Sequence, residues 1–137
     1  MPYKFLEHKA DVKFLASGST IERAFKASAM ALQETMTKGA GVKSTQEREI
    51  DVQGDDFESL LYHFLEEFLF LLDAESFLFS EVKEIKINPV EFKLHAVVSG
   101  DDAVNYQISN DVKAITYNDM FVKHDKNGWQ CLVVVDV

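Results

Sequence analysis

Residues 132–137 read Leu-Val-Val-Val-Asp-Val. A run of β-branched residues like this describes a strand buried on both faces. The rest of the chain must supply what covers it. One carboxylate interrupts the run. Side chains alternate along a strand, so Leu132, Val134 and Asp136 share one face. A carboxylate beside buried apolar surface is costly unless it is paired, hydrogen-bonded or bound to a metal. The α-carboxylate of Val137 is expected one residue away, and two anionic groups so close repel unless a cation lies between them. Hard cations such as Ca²⁺, Mg²⁺ and Mn²⁺ take oxygen ligands of this kind. The alternative is a solvated strand end whose carboxylate meets only water.

Upstream, the segments YKFLEH and VKFLAS read as two short strands around the break Lys9-Ala10-Asp11. Short breaks between strands carry function because a rigid scaffold holds them at the surface. Asp11 offers a second carboxylate for a site at Asp136, or it only shapes the turn. His8 stands beside it, as a local hydrogen-bonding group or a site residue. Next comes a helix through Ile21, Phe25, Leu32 and Met36, with Ser19 and Glu22 spaced as a capping box and Gly39 and Gly41 as its stop. EREIDVQG alternates as a strand. A second helix follows, with Asp55 and Glu58 spaced as its capping box. Its wide apolar face is Phe57, Leu60, Leu61, Phe64, Leu65, Phe68, Leu69 and Leu72. FLFSEVKEIKI and EFKLHAVVSG are strands separated by Asn88-Pro89. VKAITY and MFVKHD are expected to form a hairpin around Asn118-Asp119, and GWQCLVVVDV closes the chain. The order β-β-α-β-α followed by five strands predicts an α+β fold, two helices packed on a largely antiparallel sheet. At 137 residues, a single domain over 1–137 is expected.

Charge narrows the functional classes. With 14 basic and 23 acidic side chains the net charge is −9, which argues against a general nucleic-acid binder. A basic protein partner remains compatible. Cys131 is the single cysteine, so no internal disulfide forms, and a reducing, cytoplasmic setting is expected. The most apolar window, residues 60–72, contains His63, Glu66 and Glu67 and is too short for a bilayer, so no membrane role is expected. His63, His95 and His124 lack zinc spacing with Cys131. No phosphate-binding glycine loop or nucleophile elbow is present. Lys113 opens VKAITY as a solvated side chain, or as a contact for a phosphate or a partner carboxylate.

The succession YKFLEHKADV, GSTIERAF, LLDAESFLF, VKAITY and GWQCLVVVDV, from about residue 3 to 137, resembles the archease family. The resemblance implies a small α+β protein that is not itself an enzyme. It implies an accessory role to an RtcB-type RNA ligase in tRNA splicing and RNA repair, promoting GTP-dependent guanylylation of the ligase and multiple turnover. It also implies a divalent metal site (Ca, Mg or Mn) built from Asp11, Asp136 and Val137, with Lys113 tied to activation. The sequence departs from the family pattern at Lys9, at Lys13 where a glycine is common, and at Asn118-Asp119 where His-Gly is usual. A second reading is a chaperone or modulator of a tRNA methyltransferase or other RNA-processing enzyme. That reading requires an exposed apolar patch or an oligomeric switch, and so admits a homo-oligomer. A third, a stand-alone metal-dependent hydrolase, lacks an evident base beyond His8.

Overall fold

The computed structural model describes residues 2–7 and 11–137. Among the described residues the chain forms β1 (Tyr3–Leu6), β2 (Val12–Gly18), α1 (Ile21–Thr37), β3 (Gln46–Gln53) and α2 (Phe57–Glu75). It continues through β4 (Phe77–Asn88), β5 (Lys93–Asp102), β6 (Ala114–Asp125) and β7 (Gly128–Asp136). All strand pairs are antiparallel. The strands divide into two sheets, ordered β1-β2-β7-β6 and β3-β5-β4. Helix α1 packs on β2, β4 and β7, and α2 on β3, β4 and β6, so each helix bridges both sheets. The expected α+β architecture is present, with two sheets in place of one.

The terminal run occupies the position its composition demands. β7 is hydrogen-bonded to β2 on one edge and to β6 on the other. Cys131, Val133 and Val135 enter the main core, while Leu132 and Val134 are buried on the opposite face. On that second face Leu132 lies between Leu15 and Phe121, and Val134 between Lys13 and Thr116.

Three local expectations shift. The hairpin at Asn118-Asp119 does not form: VKAITY and MFVKHD are one strand, β6, with an irregularity between Thr116 and Phe121. Thr116 pairs Val134 and Phe121 pairs Leu132, so four β6 residues stand against Val133 alone and the excess bulges out. Asp119 takes φ 55 there. Aspartate tolerates this left-handed conformation better than most residues, though glycine does so without steric cost. The cap of α1 is Thr20 in place of Ser19, its side chain accepting from the Arg23 N–H, while Ser19 accepts from the Arg23 guanidinium. The cap of α2 is Asp56, in a reciprocal box with Ser59, in place of Asp55 and Glu58. In both helices the apolar period is unchanged and only the first turn moves, because adjacent polar residues compete for the same N–H groups. At the far end of α1, Lys38 takes φ 49 and Gly39 follows at φ 77.

An aromatic chain ties the layers together. Phe25 of α1 stacks on Phe64 of α2 at 6.2 Å; Phe64 meets Phe68 at 5.1 Å, and Phe68 meets Phe79 of β4 at 4.0 Å. Burying each phenylalanine contributes roughly 1.5–3 kcal/mol. Phe64 stands at the middle of the chain and is fully buried. Phe64→Ala is expected to lower unfolding free energy by about 3–5 kcal/mol. Urea titration should show a lower midpoint with an unchanged slope.

Candidate functional site

Three strand ends meet at one edge of the four-stranded sheet. β2 pairs β7 through Val12 and Val135, so one further step brings Asp11 across from Asp136. β6 pairs β7 from the other side through Ala114 and Asp136, and the Lys113 N–H donates to the Asp136 carbonyl at 2.8 Å. Neighbouring backbones in a sheet lie roughly 5 Å apart, so the carboxylates of Asp11 and Asp136 project from adjacent strand ends. Asp11, Asp136 and Val137 are half-buried and Lys113 is exposed. The residues named from the sequence are therefore brought together from positions up to 126 apart. His8 lies outside the described residues.

A cavity of about 310 Å³ opens beside Asp11, with Phe5, Lys13, Glu34, Lys38 and Asn110 in its wall. The end of α1 shapes it. Asn110 donates from its side chain to the Thr35 carbonyl at 3.0 Å, and the Ser109 N–H donates to the Met36 carbonyl at 2.6 Å. The segment after β5 thereby satisfies carbonyls that a helix end leaves open. Lys13 reaches Asp119 at 3.5 Å.

The donor chemistry at this edge is carboxylate and main-chain oxygen, which suits a hard cation and not zinc. Among the described residues no three His, Cys, Asp or Glu side chains converge as a metal cage. The described side chains offer two carboxylates, Asp11 and Asp136. Such a set fits an ion that keeps several positions for water or phosphate, as Mg²⁺ usually does.

Other polar centres have structural explanations. A larger hollow, about 670 Å³, lies on the three-stranded sheet among Asp51, Lys86, Lys93 and His95. Its charges are engaged locally, His95 with Asp51 at 2.7 Å and Lys93 with Glu91 at 3.2 Å, so size alone does not make it a site. Cys131 is inert: burial pushes its thiol up to about 12. Asp101 is a buried carboxylate that the sequence did not single out. It accepts from the Thr45 hydroxyl at 2.6 Å and the Tyr106 hydroxyl at 2.8 Å. Those bonds, that from Thr45 foremost, hold its carboxyl down to about 2. The sequence also carried no signal for the cavity wall, since Lys13, Glu34 and Asn110 belong to three separate segments.

The fold and the strand-end constellation define a class: a small two-helix α+β protein with a carboxylate pair at the tip of one sheet. The model of the Archease protein family (MTH1598/TM1083) matches residues 3–137. The chain is 37% identical over 140 residues to Protein archease of Pyrococcus abyssi, covering 98% of each. It is 34% identical over 139 residues to Protein archease of Methanosarcina mazei, covering 98% of this chain and 95% of that one. For Protein archease of Danio rerio the figures are 35% over 138 residues, 98% and 85%. The solution structure of Methanobacterium thermoautotrophicum protein 1598 superposes with a TM-score of 0.83 at 30% identity, covering 99% of each chain. The chain belongs to the archease family.

Asp101 yields a pH test. A depressed carboxyl contributes stability that is fully present above its unfolded value of about 3.9. That contribution is lost as pH falls through about 2. Asp101→Asn is therefore expected to be less stable than wild type at neutral pH, with the gap closing towards pH 2. Urea midpoints of the two proteins across that range would check this; a constant gap would count against it.

Proposed function

We propose that this archease-family protein is a metal-binding accessory factor, without catalysis of its own, for an RtcB-type RNA ligase in tRNA splicing and RNA repair. It promotes GTP-dependent guanylylation of the ligase and so permits multiple turnover. The observation that supports this reading is the convergence of Asp11, Asp136 and Lys113 at one sheet edge, set by the register of β2 and β6 on β7. In this reading Asp11, Asp136 and Val137 hold a divalent cation. When bound, the cation supplies positive charge for nucleotide phosphates in a transfer that depends on positioning and electrostatics.

The chain's own residues do the rest. β7 is buried on both faces and fixed along both edges, so it presents Asp136 from a rigid base. The exposed Lys113 adds a compact cation at the same edge, suited to a phosphate or to a carboxylate of the partner. The net charge of −9 favours a partner surface that is basic.

The test is ligase guanylylation from labelled GTP over many turnovers, with this protein, Asp11→Ala or Asp136→Ala added. Wild type is expected to stimulate. Each alanine variant should lose that stimulation by about tenfold or more, the scale on which even outer partners of a metal site matter. Both variants should melt as the wild type does. Equal stimulation by all three would remove the metal from the mechanism. No stimulation by folded wild type would remove the ligase.

A further inference from the structure

Tyr62 of α2 and Tyr117 of β6 are stacked, their ring centres 4.3 Å apart and their planes within 8°. One face of Tyr117 is taken by this contact, yet the residue remains 53% exposed. Beyond that contact Tyr117 presents aromatic surface to solvent. Tyr62 also meets His63 edge-on at 5.6 Å, which fixes the inner ring.

The charges around the pair are of one sign. Burial is the largest cause raising the Tyr117 hydroxyl, followed by Tyr62 and then the carboxylates Asp56, Glu66 and Asp55. Burial first, then the charge of Glu66 and its hydrogen bond, raise the Tyr62 hydroxyl likewise. Asp56 caps α2 and Asp55 precedes it, while Glu66 lies one turn beyond Tyr62 on the same helix. α2 and the residues at its start thus hold three carboxylates near the tyrosine pair, and the protein as a whole carries −9.

That combination matches one side chain better than any other. A guanidinium is planar, stacks on an aromatic face and keeps its N–H fork free for carboxylates in its own plane. An ammonium offers the charge without the plane. Tyr117 opens the irregular stretch of β6, and its ring packs on α2 through Tyr62. The pair also lies four residues along the chain from Lys113, roughly 13 Å at strand rise, so one partner can cover it together with the strand-end site.

We propose that the Tyr62–Tyr117 stack, ringed by Asp55, Asp56 and Glu66, is a docking surface for an arginine side chain of a basic protein partner. It deepens the ligase reading by giving the same partner a second contact, though its first test does not rest on that reading.

The first arm is an NMR titration of the whole protein with the peptide Gly-Arg-Gly-Arg-Gly, against the same peptide with citrulline in place of arginine. Ring resonances of Tyr62 and Tyr117 should move with arginine and stay in place with neutral citrulline. Tyr117→Phe should retain the response, since it keeps the ring. Tyr117→Ala should bind about fivefold more weakly, the scale of an exposed cation–π contact. Equal shifts with citrulline, or undiminished binding by Tyr117→Ala, would overturn the proposal. So would the absence of any shift in wild type.

The second arm measures the concentration of this protein giving half-maximal ligase stimulation. Tyr117→Ala should raise it about fivefold and leave the maximum unchanged. An unchanged half-maximal concentration would overturn the docking role while the ligase reading stands. A ligase that wild type does not stimulate would end the ligase reading and leave the peptide result to decide the surface.

Discussion

Strand β7 is hydrogen-bonded along both edges and covered on both faces, and the rest of the fold is organised around that requirement. A strand with Val133, Val134 and Val135 all fully buried cannot stand at an edge or face water. β2 and β6 must flank it, α1 must cover one face, and the side chains of the flanking strands must close the other. The same hydrogen bonds set register. A slip of one residue against β2 would mismatch the faces of the two strands and separate Asp11 from Asp136, and a slip against β6 would displace Lys113. Core formation and placement of the candidate ligands are therefore one physical event.

The arrangement holds the few polar groups at the strand end rigidly. Two carboxylates and a lysine make a poor cage by themselves. Held on three adjacent strands they make a surface of fixed geometry that another molecule can complete. The cap of the α1 carbonyls by Ser109 and Asn110 belongs to the same design, because it brings the chain back to the sheet edge just before Lys113. Lys13 and Asp119 add a link between β2 and the β6 bulge that both flank this edge. Exposed at one end and only modestly close, that pair contributes at most about 1 kcal/mol. Its consequence lies in where it holds the bulge.

The bulge itself connects the strand end to the tyrosine pair. Extra residues between Thr116 and Phe121 break the ladder with β7, and Tyr117, the first of them, stacks on Tyr62 of α2. Further along, the Val122 N–H donates to the Glu58 carboxylate at 3.1 Å, so α2 also closes part of the open edge of β6. An edge strand that would otherwise invite pairing with another chain is broken by the bulge and partly covered. The aromatic chain from Phe25 to Phe79 holds α2 in the position that makes both contacts.

Both helices, the buried terminal strand and the turn at Asn88-Pro89 were legible in the sequence, because apolar period and turn chemistry are local properties. The sequence also named Asp11, Lys113 and Asp136, through motif resemblance and the cost of a carboxylate beside buried valines, and strand register sets them at one sheet edge. The caps were misplaced by one residue because Ser19 and Thr20, or Asp55 and Asp56, are equivalent by composition and differ only in backbone angle. The hairpin at Asn118-Asp119 was a reasonable local reading that long-range pairing with β7 overrode. Division into two sheets, the cavity beside Asp11, the hydrogen-bonded Asp101 and the stack of Tyr62 on Tyr117 came from tertiary structure alone. Each depends on residues from distant segments meeting at a distance that only the packed core and the strand register define.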